Sequence, residues 1–196
     1  MKTVIIKYNA GNVRSVLFAL ERIGINAVVT DNHDEIRQAD KVIFPGVGEA
    51  SSAMRHLRER ELDKLILSLK QPVLGICLGM QLMCACSEEN DAECLGIFSQ
   101  KVMKFPQAAG FKVPQIGWNT VFDLKPPLFK GIRENSYMYF VHGYYVGNGE
   151  NTAAKTNYMF DYSSALQKNN FYAVQFHPEK SDEIGQKILE NFIHEI

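Results

Sequence analysis

The sequence predicts an α/β fold: a flavodoxin-like, doubly wound, mainly parallel sheet with antiparallel additions in the C-terminal half. Three observations predict it. Short, almost wholly apolar runs recur through the first half: Val4-Ile5-Ile6, Lys41-Val42-Ile43-Phe44 and Pro72-Val73-Leu74-Gly75-Ile76. Stretches of helical periodicity separate them, and strands apolar on both faces belong to parallel sheets covered on both sides. The second half loses this rhythm and offers strand-like segments joined by turns.

Taken in order, Val4-Ile5-Ile6 is a first buried strand. Val13, Val16, Leu17, Leu20 and Ile23 recur at helical spacing, and Gly24 stops that helix. Ala27-Val28-Val29 is a second strand. Lys41 to Phe44 is a third, closed by Pro45-Gly46. Leu57, Leu62, Leu65, Ile66 and Leu69 mark one or two helices. Pro72 to Ile76 is a fourth strand, and Leu78 to Cys86 reads as the helix after it. Right-handed crossovers then give the doubly wound order. Lys101 to Phe105, Trp118 to Val121, Tyr137 to Val146 and Phe171 to Phe176 read as antiparallel additions. Ser181 to Ile196 is a closing helix with Ser181 at its N-cap position.

The chain has 196 residues, of which 46% are hydrophobic and 22% charged, which suits one soluble domain over residues 1–196. A net charge of −1 gives no electrostatic reason to expect nucleic acid or an anionic membrane. The opening apolar run is too short for a signal peptide or a membrane span, so a cytoplasmic protein is expected. In that compartment Cys77, Cys84, Cys86 and Cys94 are expected as thiols. Cys84 and Cys86, placed on one helix, would point to nearly opposite sides and make a poor metal pair. No metal or cofactor is expected.

Gly75-Ile76-Cys77-Leu78-Gly79 joins a buried strand to a helix. Small residues on either side of a nucleophile allow a sharp turn that lifts the sulfur above the sheet edge. A helix N-terminus favours the thiolate, and the Leu78 N–H would face a developing oxyanion. Such a cysteine needs a base. His33, His56 and His194 lie in polar or helical contexts, and His142 lies in a strand where a packed, hydrogen-bonded ring is the plainer account. His177 follows an apolar strand and precedes Pro178-Glu179. Pro178 disfavours a helical His177, and side chains two apart on an extended segment point the same way. His177 and Glu179 can therefore face one site, which completes a Cys-His-carboxylate triad for acyl transfer.

Phe44-Pro45-Gly46-Val47-Gly48-Glu49 follows the third strand. A turn there would lie beside the Cys77 elbow and could supply a second oxyanion donor from Val47 or Gly48. Gly46-x-Gly48-x-x-Ser51 also approaches a dinucleotide fingerprint. That motif belongs after the first strand, where Asn9-Ala10-Gly11-Asn12 does not match it. The residue chemistry leaves open an amidase, a binding module with a reactive cysteine, and a cysteine peptidase.

Pro45-Gly46-Val47-Gly48, Gly75-Ile76-Cys77-Leu78-Gly79-Met80-Gln81 and Gln175-Phe176-His177-Pro178-Glu179 resemble, in order, the three blocks of class I glutamine amidotransferases. Tyr8 to Val16, Lys112 to Asn119, Tyr139 to His142 and Glu179-Lys180-Ser181 narrow the resemblance to glutaminase subunits of imidazole glycerol phosphate synthases. It runs essentially end to end. It implies attack of Cys77 on the glutamine amide, with His177 moving protons and Glu179 orienting it. It also implies a substrate pocket of Gly46, Gly48, Gln81, Tyr139, Val141, His142 and Gly143. Asn12, Trp118 and Lys180 would meet a partner, a (β/α)₈ barrel cyclase that receives the ammonia. Feeding anthranilate or guanylate synthesis is the alternative within the family. Three positions depart from the pattern: Gly143 where a hydroxyl residue is frequent, Gln115 where a histidine is frequent, and Ala10 in a variable first turn.

Overall fold

A computed structural model describes residues 1–9 and 11–196; Ala10, one of the three departures, lies outside the described residues. The elements run β1 (Thr3–Ile6), α1 (Val13–Arg22), β2 (Val28–Thr30), α2 (His33–Arg37), β3 (Lys41–Phe44), α3 (Ala50–Glu59), α4 (Leu62–Ser68), β4 (Val73–Ile76) and α5 (Leu78–Leu82). There follow β5 (Cys86–Ser87), β6 (Ala92–Glu93), β7 (Lys101–Lys104), β8 (Gln115–Val121), β9 (Ser136–His142), β10 (Tyr144–Val146), β11 (Thr152–Tyr158), β12 (Phe160–Lys168), β13 (Phe171–Val174), a 3₁₀ turn (Pro178–Lys180) and α6 (Asp182–His194).

Five strands form the parallel sheet in the order β2-β1-β3-β4-β13. With β13 as the fifth parallel strand this is the flavodoxin-like order 2-1-3-4-5. Alternate residues feed two cores. Val4, Ile6, Val42, Phe44 and Val73 pack with α2 to α5, whereas Ile5, Ile43, Leu74, Ile76 and Val174 pack with α1 and α6. This period-2 division explains why the strands read as unbroken apolar runs. Beyond β13 the sheet continues antiparallel through β12, β10 and β7, while β8 and β9 form a separate ribbon. Among the described residues no helix is long and apolar enough to cross a membrane.

The sequence reading needs correction at several places. Phe171–Val174 is no antiparallel addition: the β12–β13 hairpin reverses the chain and lays β13 parallel to β4. Tyr137 to Val146 breaks at Gly143, sending β9 to the ribbon and β10 to the large sheet. The helix expected to reach Cys86 stops at Leu82, because the backbone beyond it turns to pair with Gln100, Lys101 and Val102. Cys84 and Cys86 therefore do not share a helix. Gly24, with φ 77°, does end α1. The short helix α2 and the β11–β12 hairpin lay outside the sequence reading.

At the other end of the chain, α6 sits hard against the turn before it. A Cβ on Gly185 would stand 2.0 Å from the Pro178 carbonyl oxygen. Gly185→Ala must push the helix away from the Pro178–Lys180 turn. Urea unfolding is expected to show a loss of about 1–3 kcal/mol.

Candidate functional site

Cys77 stands between β4 and α5 at φ 53°, ψ −108°, a conformation that only a strained turn imposes on a residue with a side chain. The turn is held from three sides. The Cys77 amide donates to the Val174 carbonyl of β13 at 2.8 Å. A Cβ on Gly79 would lie 1.9 Å from the Phe44 carbonyl oxygen, so α5 can touch the end of β3 only with glycine there. A Cβ on Gly75 would meet the Met83 sulfur at 2.9 Å and the Gly79 backbone at 3.0 Å.

Because β13 lies beside β4, the chain leaving β13 delivers His177 to the same sheet edge. The His177 amide donates to the Tyr139 carbonyl at 2.9 Å, and its buried ring reaches Glu179 through an Nδ1–Oε1 contact of 2.7 Å. Glu179 is not two positions along an extended strand, as expected; it sits in the 3₁₀ turn, which swings its carboxylate under the ring. The Cys77 thiol donates to the Val141 carbonyl at 3.8 Å, and it is near enough to the ring to favour its charged form. Burial alone would depress the imidazole, but Cys77 and Glu179 together outweigh it and push the ring up to about 10. A protonated ring between sulfur and carboxylate is the arrangement a nucleophilic cysteine requires.

Asn12 was expected at a partner surface. It is half-buried, and its side-chain amide donates to Glu179 Oε1. The expected helix-cap bond from the Ser181 hydroxyl is absent. Ser181 Oγ instead donates to the His177 carbonyl at 2.6 Å and accepts from the Tyr139 amide at 2.9 Å, tying β9 to the histidine segment. Trp118 and Lys180 are exposed, and Trp118 stacks edge-on with Tyr139 at 5.8 Å. Ile116, Trp118 and Tyr137 stand on one face of the β8–β9 ribbon with exposures of 63%, 52% and 61%, a connected apolar patch.

The oxyanion donors are not arranged as expected. The Leu78 amide donates to the Gly46 carbonyl at 3.2 Å, so an acceptor oxygen stands where a substrate oxyanion would need to be. Gly48 takes φ 126°, and the turn is fixed at its start by the Tyr8 hydroxyl, which donates to the Pro45 carbonyl at 2.7 Å. At its exit the Glu49 carboxylate caps α3 through the Ser51 and Ser52 amides.

A cavity of about 260 Å³ opens over Cys77. Of the residues expected there, Gly48, Gln81, Val141, His142 and Gly143 line it, with Val47 and Leu78 of the oxyanion set. Gly46 and Tyr139 do not line it; they act through backbone carbonyls bound to Leu78 and His177. Glu89, Pro114 and Tyr144 line it and were missed. Glu89 is a half-buried carboxylate, raised above its usual range by burial and bound through Oε2 to the Ala50 amide at 2.8 Å. No sequence signal marked it, because it lies in an irregular polar stretch. A side chain at Gly143 would meet only ordinary contacts at 3.8 and 3.9 Å, so glycine is not sterically demanded there. Gln175 was also missed as a site residue. Its Nε2 lies 3.7 Å from Cys77 Sγ, and its Oε1 accepts from Gln81 at 3.0 Å. Among the described residues no cluster of side chains could hold a metal, and Cys84, Cys86 and Cys94 are free thiols.

A family model described as glutamine amidotransferase class-I matches residues 4–196. A protein of Bacteroides fragilis named imidazole glycerol phosphate synthase subunit HisH is 57% identical, over 98% of this chain and 99% of its own length. A Haemophilus influenzae protein of the same name is 47% identical, over 98% of this chain and 96% of its own. Among solved structures, a putative GMP synthase subunit from Thermoplasma acidophilum superposes with TM-score 0.76 at 21% identity, covering 98% of this chain and 92% of that one. PurLQS from Thermotoga maritima gives 0.75 at 16% identity, covering 99% and 98%. At those identities the two structures support the fold alone.

The raised pKa of His177 has a consequence for stability. An imidazole lifted from 6.5 to about 10 by folding stabilises the native state fully below pH 6.5, and that contribution is lost as pH rises towards 10. Thermal melts of the native protein and His177→Gln should differ most in the native protein's favour at low pH, and the gap should narrow from pH 6.5 to 10. A gap independent of pH would refute the assignment.

Proposed function

The chain belongs to the class-I glutamine amidotransferase family, and we propose that Cys77, His177 and Glu179 are its catalytic triad. It is the glutaminase subunit of an imidazole glycerol phosphate synthase and serves histidine biosynthesis. The observation that carries the triad is one buried imidazole that is bound through Nδ1 to the Glu179 carboxylate and raised by the nearby Cys77 thiol.

The chemistry follows from these groups. The Cys77 sulfur adds to the side-chain amide carbon of glutamine. Imidazolium His177 gives its proton to the departing nitrogen, and ammonia leaves a γ-glutamyl thioester. The now neutral ring takes a proton from water, whose oxygen adds to the thioester carbon, and glutamate leaves as the thiol is restored. Glu179, with Asn12 donating to it, keeps Nδ1 protonated and Nε2 turned to the sulfur. The cavity is of a size for one amino acid. Gln81 and the Val141–Tyr144 backbone are suited to hold the substrate's amino-acid end. The Glu89 carboxylate suits its ammonium group.

We assign Val47, Gly48 and Leu78 to the oxyanion hole, which is closed in this state because the Gly46 carbonyl occupies the Leu78 amide. Rotating the Gly46–Val47 peptide would withdraw that carbonyl and present the Val47 N–H, turning an acceptor into a second donor. The partner is a (β/α)₈ barrel cyclase in a one-to-one heterodimer, docked on the ribbon face of Ile116, Trp118 and Tyr137 with Lys180 and the Asn12 turn beside it. Docking promotes that rotation and receives the ammonia before water protonates it. The work is done in the cytoplasm by a single amidotransferase domain, a reading that the free thiols support.

Two measurements on the pair test this reading. Cys77→Ala should abolish glutamine-dependent synthesis while synthesis from ammonium salts continues; loss of both would make Cys77 structural. Without its partner, the native chain should hydrolyse glutamine about 10²–10³-fold more slowly than in the pair, the usual worth of one oxyanion donor. Equal rates would rule out a hole opened by the partner.

A further inference from the structure

Gln115 of β8 and His142 of β9 face each other across the ribbon, and both are buried. Their side chains meet at one hydroxyl, that of Tyr162 on β12, which is wholly buried. The Gln115 amide is 3.0 Å from it and His142 Nε2 3.1 Å. On the other side of the ring, His142 Nδ1 lies 2.7 Å from the Tyr144 carbonyl oxygen.

Counting protons fixes the direction of every bond. Burial pushes His142 down to about 4, so the ring is neutral and has one N–H. A carbonyl oxygen only accepts, which puts that hydrogen on Nδ1. Nε2 then accepts, and the Tyr162 hydroxyl is its donor. The Gln115 side chain presents Oε1 to that hydroxyl. Tyr162 has one hydrogen, however, and cannot donate to both this oxygen and His142 Nε2. The network therefore assigns the Gln115 amide the turned orientation, in which its N–H donates to the Tyr162 oxygen. The Tyr144 carbonyl has a second lone pair, approached by Gln81 Nε2 at 3.4 Å. Gln81 donates in turn to Gln175, whose amide lies against the Cys77 sulfur. A continuous buried chain of hydrogen bonds thus runs from the ribbon to the floor of the cavity.

We infer that Tyr162, which touches neither the cavity nor the triad, is a positioning residue that fixes the glutamine pocket through His142 and the Gly143 turn. The inference rests on the reading of the cavity as a glutamine site. Its logic is that His142 is held from both sides. Nδ1–H pins the carbonyl two residues on, which shapes the Gly143 bend, while the Tyr162 hydroxyl stops the ring from turning. Removing the hydroxyl leaves Nε2 and the Gln115 N–H unpaired in a dry site, and the ring and turn must repack to find partners. The lining from Val141 to Tyr144 then shifts, whereas Cys77 and His177 stay on β4 and the end of β13. Binding suffers and chemistry does not.

The test measures glutamate release by the chain paired with its cyclase, together with nitrogen-15 spectra of the histidine rings. For Tyr162→Phe the expected result is a KM for glutamine raised about tenfold with kcat within about threefold. The native spectrum should show His142 as the Nδ1–H tautomer with a hydrogen-bonded Nε2, and the variant should lose the Nε2 bond. A folded Tyr162→Phe with unchanged KM, a kcat loss without a KM change, or a native Nε2–H tautomer would each overturn the inference. If Tyr162→Phe does not fold, Gln115→Met removes only the donor to Tyr162 and should raise KM about threefold; an unchanged KM there overturns it equally. A native pair that releases no glutamate would defeat the glutaminase reading itself, whereas native turnover with an unmoved variant KM defeats only the assignment of Tyr162.

Discussion

Strands β4 and β13 run parallel and in register, with Val174 beside Ile76, so the residues that leave their carboxyl ends leave side by side. One of these departures is Cys77, whose amide is bonded back to the Val174 carbonyl. The other leads through two buried residues to His177, whose own amide is taken by Tyr139. Both side chains of the proposed reaction are therefore placed by backbone bonds inside a packed sheet and not by mobile loops. The glycines serve the same placement. Gly79 allows α5 to rest on the end of β3, and that contact sets the angle at which the elbow lifts its sulfur. Loss of the β4–β13 register would separate the thiol from its base and move the Gly143 turn, since β13 also holds β12 and, beyond it, β10.

Two buried histidines show how surroundings divide one residue type into two roles. Burial disfavours charge on both. At His142 burial wins over the one opposing hydrogen bond, to the Tyr144 carbonyl: the ring faces a carbonyl and a hydroxyl, stays neutral, and serves as a structural pin. At His177 a bonded carboxylate and a nearby thiol favour the charged ring, and together they overcome the same desolvation. The distinction that matters for proton transfer is thus made by two neighbours and not by depth in the protein.

Much of this was legible in the sequence because the informative signals are local. Apolar runs gave β1, β3 and β4; the glycines around Cys77 gave the elbow; Pro178 after His177 gave an extended backbone at the base. What was not legible depended on partners distant along the chain. The segment Phe171–Val174 has the same composition whether it pairs parallel or antiparallel, and only the β12 hairpin decides its direction. Cys86 leaves the helical pattern because Lys101 offers it a strand partner. Glu89 enters the cavity from an irregular polar stretch, and Tyr144 from a strand segment whose break at Gly143 the sequence did not mark. Asn12 was read as a surface residue from the resemblance; the left-handed turn at φ 75° that carries its amide to Glu179 has no signature in its neighbours.

The closed oxyanion hole and the exposed ribbon belong to one argument about dependence. With the Gly46 carbonyl on the Leu78 amide, the site holds a positioned nucleophile and base but faces the substrate oxygen with the wrong sign of dipole. In the proposed reading such a site would bind glutamine without stabilising the charge that develops on attack, and the isolated chain would spare its substrate. An apolar patch of Ile116, Trp118 and Tyr137 left in water costs solubility unless something covers it. Its underside is continuous with the site: Tyr139 receives the His177 amide, Trp118 packs on Tyr139, and Gln115 begins the chain that ends at the sulfur. A surface that must be covered, built directly onto groups that must be shifted, makes partner binding and catalysis parts of one equilibrium. The free energy gained by covering the patch is then available to offset the cost of turning one peptide.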